Sequence, residues 1–140
     1  MEKLLFDDGV KEFRMNGGVL RFNPADPNVY GRFLEAAQQL RGLEAELTEK
    51  AQKGDKSVLQ LLQEADKAMK QSLNGVFGGE NDFHKLLRGV NLLAVAGNGQ
   101  RVVTNLLQAL EPVLVEGAKI CAGQAAEAAV KKAESRRKGQ

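Results

Sequence analysis

Two apolar stripes at helical spacing, separated by a short break, constrain this chain more than any other feature of its sequence. The first runs through Val29, Phe33, Ala36, Leu40, Leu43 and Leu47, recurring at intervals of four and three residues with charged side chains on the other faces. Asp26 followed by Pro27 supplies an N-cap and a first helical residue, since proline has no N–H to lose there and its φ is already helical. Lys53-Gly54-Asp55 interrupts the pattern. Asp55 or Ser57 is then placed to cap a second helix with the stripe Val58, Leu61, Leu62, Ala65, Met69, Leu73, Val76 and Phe77. Two amphipathic helices joined by so short a link bury their stripes by folding back on each other. An antiparallel helical pair is the expected centre of the fold.

Residues 11–23 carry a different period. Phe13 and Met15 alternate with Glu12 and Arg14, and Asn16-Gly17-Gly18 then leads into Val19-Leu20-Arg21-Phe22-Asn23. Alternation of this kind fits a half-buried strand, and Asn-Gly is a strong hairpin signal because both residues tolerate positive φ. The short run Leu4-Leu5-Phe6, closed by Asp7-Asp8-Gly9, is expected to add a third strand at one edge. A two-stranded hairpin is marginal alone, so it must lie on the helices or on another subunit, and its edge offers a route to a homo-oligomer.

Beyond Phe77, Gly78-Gly79 ends the second helix, and Asn81 or Asp82 can cap a short one through Phe83, Leu86, Leu87 and Val90, stopping before Gln100. A last helical region begins near Gln100 with Val103, Leu106, Leu107, Leu110, Val113 and Leu114. Pro112 removes a backbone donor inside it, which predicts a kink or a fresh start at Glu111-Pro112. From Ala118 the stripe turns to Ala122, Ala125, Ala126, Ala129 and Ala133, residues of high helix propensity that bury little area each. The fold class read from these patterns is mainly α with an N-terminal β-hairpin, a small helical bundle with a kinked C-terminal helix. It occupies a single domain over residues 1–130, with the hairpin at about 11–23, helices at about 27–130, and a basic C-terminal tail at 131–140.

Composition excludes several classes. With 140 residues, 43% hydrophobic and 27% charged, the chain is sized and balanced for one folded domain rather than a disordered or fibrous one. Its longest apolar run is far short of the roughly 18 residues a membrane span needs. Met1-Glu2-Lys3 leads into too short an apolar run for a signal peptide core, so the expected location is the cytoplasm. The net charge of +2 hides an asymmetry: Lys131, Lys132, Arg136, Arg137 and Lys138 stand against Glu134 in the last ten residues, leaving the body faintly acidic.

The residues that carry catalysis are sparse. His84 is the only histidine and Cys121 the only cysteine, whereas zinc sites of the common kind need about four ligands in short paired spacings. Leu92-Leu93-Ala94-Val95-Ala96-Gly97-Asn98-Gly99-Gln100-Arg101-Val102 resembles a strand and dinucleotide-binding glycine turn, but Val102 stands at the third glycine and no βαβ context surrounds it. It reads as a flexible loop between helices. The many carboxylates, among them Glu44, Glu46, Glu49, Glu64 and Asp66, fall on the polar faces of helices. The expectation is a chain that is not an enzyme, with no metal and no cofactor.

Two stretches carry a resemblance. Val19-Leu20-Arg21-Phe22-Asn23-Pro24-Ala25-Asp26-Pro27-Asn28-Val29-Tyr30-Gly31-Arg32-Phe33 resembles the start of the small tail assembly chaperones of long-tailed phages and prophages, where a short β element leads through Phe-Asn-Pro-x-Asp-x-Asn into a first helix. Val76-Phe77-Gly78-Gly79, the helix at Phe83 to Leu87, and Asn105-Leu106-Leu107-Gln108-Ala109-Leu110-Glu111-Pro112-Val113-Leu114 are similar to that family's later motif. The resemblance implies a small, mainly helical, non-enzymatic chaperone in the host cytoplasm. It would bind the tape measure protein, keep its apolar helices soluble, and promote assembly of the tail tube protein. The alanine-rich extension departs from the family pattern. Helix-in-groove binding places the expected contact surface at the bent segment Leu106, Leu107, Leu110, Val113 and Leu114, with hydrophobic core as an equally weighted reading of the same stripe. The alternative is a phage scaffold or nucleic-acid-associated protein that uses the basic tail, though nucleic acid is not the expected partner.

Overall fold

The computed structural model describes residues 1–53 and 57–138. Its elements in order are β1 (Lys11–Met15), β2 (Gly18–Phe22), α1 (Pro27–Lys53), α2 (Val58–Phe77), α3 (Phe83–Leu86) and α4 (Val102–Lys138). The mainly helical class with an N-terminal antiparallel hairpin is as the sequence patterns require.

The start of α1 follows the expected chemistry: the Asp26 side chain accepts from the Asn28 N–H at 2.9 Å, and Pro27 is the first helical residue. Its stripe is buried at Val29, Phe33, Ala36, Leu40 and Leu47, and Leu43 packs against the same core. Along α2, Leu61, Ala65, Met69, Leu73, Val76 and Phe77 face the same interior, whereas Val58 at the helix start remains 49% exposed. Arg32 Nε near the start of α1 donates to the Val76 carbonyl near the end of α2 at 2.9 Å, and Ser72 bonds Gln39 further along, so the two helices run antiparallel. The Arg32 bond also satisfies one of the carbonyls that a helix end leaves without an intrahelical donor. Of the two caps expected for α2, Ser57 holds the position without a side-chain bond, and Asp55 lies outside the described residues.

The hairpin has the expected register, Met15 opposite Gly18 and Lys11 opposite Phe22. Its turn works differently from expectation. Neither Asn16 nor Gly17 takes the left-handed conformation. Gly17 is needed for proximity instead: its N–H donates to the Leu86 carbonyl at 2.8 Å, and a Cβ there would meet the Lys85 carbonyl. The hairpin thus docks on the end of α3. Four rings continue the contact, with Phe13 stacked on Phe22 at 5.0 Å, Phe22 edge-on to Phe77 at 4.7 Å, and Phe77 beside Phe83 at 5.5 Å.

Asn81 fills the outer edge of β2 at Arg21. Its amide accepts from the Arg21 N–H at 2.9 Å and donates to the Arg21 carbonyl at 2.8 Å, imitating a neighbouring strand. Asn81→Ala should cost about 1–2 kcal/mol of unfolding free energy. It should also speed hydrogen exchange at the Arg21 amide while leaving the Leu20 amide protected.

The expected third strand does not form. Asp7 and Asp8 accept from the Gly9 and Val10 amides, and these local turns redirect the chain before β1. Leu4, Leu5 and Phe6 are left more than 80% exposed. The short helix is also briefer than expected, since Arg88 and Gly89 take positive φ and end it ahead of the exposed Val90.

Candidate partner-binding surface

α4 has 37 residues, a helix of about 55 Å, and its two halves have different surroundings. In the first half, Val103, Leu106, Leu110 and Leu114 are buried in the core, and Leu107 and Val113 pack partly against it. The contact surface expected at Leu106, Leu107, Leu110, Val113 and Leu114 is therefore mainly interior, because this stripe is what seats α4 on α1. Leu107 lines a cleft of about 300 Å³ bordered by Leu40, Arg41 and Glu44 of α1.

Pro112 does not start a new helix: α4 runs through it as one element. The Gln108 carbonyl, which would have accepted the missing N–H, belongs to an exposed residue, as does Pro112 itself. Water can therefore take the place of the lost backbone donor, and the cost that proline carries in a buried helix is reduced. One turn later the packing becomes closest. Gly117 is buried against the turn between β2 and α1, and a Cβ on it would fall into the Pro24 carbonyl.

Past Gly117 the surroundings change. From residue 118 to the end of α4 no described side chain is buried; Ala118 and Cys121 are half-buried, and Ile120 and Val130 are 51% and 57% exposed. Ala122, Ala125, Ala129 and Ala133 lie on one side of this projecting helix, exposed. Lys131 and Lys132 of the expected basic tail are exposed on it, and the helix continues through Arg136, Arg137 and Lys138. The tail is a continuation of α4 rather than a frayed end as far as Lys138.

The remaining candidates resolve into structural roles. His84 is exposed, and its Nδ1 lies 3.0 Å from Lys70 Nζ. Lys70 is only 4% exposed and also pairs with Asp66 at 2.9 Å, while the second Asp66 oxygen accepts from the Leu92 N–H at 2.8 Å. Asp66, Lys70 and His84 border a cleft of about 400 Å³ with Gln63, Lys67, Gln71 and Asn74. This knot ties α2 to α3 and to the buried Leu92, and sequence reasoning missed it because Asp66 read as one more polar-face carboxylate. The signal available was the four-residue spacing of Asp66 and Lys70, which puts both on one helical face.

The glycine stretch is ordered by its own backbone. Ala96 N–H donates to Gln100 O, Gly99 N–H to Ala96 O, and Gln100 N–H to the Asn98 side chain, so these amides are spent inside the turn and do not form an anion cradle. Arg101 fixes the exit, donating to the Leu93 carbonyl and pairing with Glu44 of α1 at 3.2 Å. Leu92 and Leu93 are buried, so the stretch expected to be flexible begins with core residues. Among the described residues no group of three or more His, Cys, Asp or Glu is arranged to hold a metal ion, and no helix is long and apolar enough to cross a membrane. Compared with known proteins, the chain matches no family model, no curated protein and no solved structure.

Proposed function

We propose that this chain is a non-catalytic assembly chaperone that holds an apolar helix of its partner against the projecting half of α4. The observation that carries the reading is the exposed alanine face from Ala122 to Ala133, continuous with a helix whose other half is locked into the core. Small side chains let two helix axes approach closely, and each alanine buries little area, so such a contact is intimate but reversible. Reversibility is what a chaperone requires, since its client must leave. The motifs around Phe22 to Phe33 and Asn105 to Leu114 resemble those of phage tail assembly chaperones, which makes the tape measure protein the proposed client, the tail tube protein the next component, and the host cytoplasm the site of action.

Co-expression with a long helical tape measure protein from the same genome tests this. The chain is expected to keep that protein soluble and to co-purify with it. Replacing Ala122 and Ala129 together by glutamate should weaken capture at least about tenfold, since two charges would then be desolvated at the contact. Unfolding free energy should stay within about 0.5 kcal/mol, because both positions are exposed. Aggregation of the client in the presence of the wild-type chain would overturn the reading. Alanine at Lys131, Lys132, Arg136, Arg137 and Lys138 separates the alternative: a scaffold that binds nucleic acid through these residues would lose a strongly salt-dependent affinity in that variant.

A further inference from the structure

The outer edge of β2 is filled at Arg21, whereas the outer edge of β1 is open. Arg21 is opposite Glu12, and both main-chain groups of Arg21 turn away from β1 to meet Asn81. In an antiparallel ladder the residue opposite such a position also faces outward, as does the residue two further along. Glu12 and Arg14 therefore present N–H and C=O groups along the outer edge of β1. Among the described residues no hydrogen bond outside the hairpin reaches them, and both side chains are exposed.

We infer that two copies of this chain pair through their β1 edges, antiparallel and centred on Phe13. The outward groups of Glu12 and Arg14 leave three two-fold registers for this strand, centred on Glu12, Phe13 or Arg14. The first sets Glu12 against the same residue of the second copy, and the last does so for Arg14; like charges directly opposite each other destabilise a sheet. The middle register sets Glu12 opposite Arg14 of the second copy, twice, and exchanges four main-chain hydrogen bonds. Phe13 then meets its own copy on the face where it already stacks on Phe22, so the row of rings crosses the junction. The resulting sheet has the order β2-β1-β1-β2. Each outer edge of that sheet is filled at Arg21 by Asn81, which opposes the addition of further strands there.

Sedimentation equilibrium of the full chain, with the Glu12→Arg, Arg14→Glu and Arg14→Pro variants, tests this. The wild-type chain is expected to show a monomer–dimer equilibrium, and each single charge reversal should weaken it at least about tenfold. An equimolar mixture of the two charge reversals should restore association, because arginines at 12 and 14 in one chain then face glutamates in the other. Arg14→Pro removes an outward donor without touching the pairing to β2 and should also weaken the dimer. Hydrogen exchange at the Glu12 and Arg14 amides should slow with rising concentration while that at Arg21 stays constant. A chain that remains monomeric, a dimer indifferent to Arg14→Glu, or charge reversals that do not rescue each other would overturn the inference. So would a dimer lost with the Ala122 and Ala129 replacements, which would assign association to α4.

Discussion

Asp66→Ala is expected to lower the unfolding free energy by about 3–5 kcal/mol, because it strands a buried ammonium. The carboxylate has two separate tasks. One oxygen pairs with Lys70, whose side chain is 5% exposed, and the other accepts from the Leu92 N–H. Alanine leaves Lys70 with only the His84 nitrogen beside it and leaves the Leu92 amide without its acceptor. The companion variant Asp66→Asn with Lys70→Met keeps an acceptor for Leu92 and removes the charge to be compensated. It should fall within about 1 kcal/mol of the wild type, since a buried ion pair contributes far less in total than either half costs when orphaned. Urea unfolding of the two variants checks this. Equal losses would mean that the pair is not energetically coupled.

Gly117→Ala is expected to cost at least about 3 kcal/mol, the upper range for overpacking, because the added methyl is directed at main chain and not at a flexible side chain. The obstructing atoms belong to Pro24 and Ala25. Relief requires α4 to lift from the turn, which would disturb Leu114, a fully buried residue one turn earlier. Gly42→Ala in α1 is the control. Nothing lies within 4 Å of its added methyl, so the ordinary helical advantage of alanine should appear as a gain of about 0.5–1 kcal/mol. Opposite signs for the same chemical change would isolate the close approach as the cause. A loss under about 1 kcal/mol at Gly117 would mean that the helix is not seated there.

The sequence patterns anticipated what depends on local periodicity. The stripe from Val29 to Leu47 is legible because a period of 3.6 residues is imposed by the helix itself, and the alternation around Phe13 is legible for the corresponding reason in a strand. Asp26-Pro27 marks a helix start through two residues alone. What escaped was set by distance in sequence. Asn81 reads as a cap for α3, yet its side chain serves Arg21, 60 residues earlier. Gly17 reads as a turn residue, yet the requirement on it comes from Lys85 and Leu86. The stripe at Leu106, Leu110 and Leu114 looks the same whether it faces a partner or a core; the choice was made by α1, with which it shares that core. The projecting alanine face was visible as composition but not as exposure, since exposure depends on where the rest of the fold ends.

That end point has a mechanical consequence. Gly117 pressed on the Pro24 carbonyl is a fulcrum: everything before it in α4 is clamped, and the 21 residues after it form an arm of about 30 Å. A tilt of about 10° at the fulcrum carries the tip through about 5 Å, roughly one helical turn of whatever lies along it. Movements too small to disturb Leu114 thus become large at Lys131 and Lys132, and the turn formed by Asn23, Pro24 and Ala25 sets the direction in which the arm points.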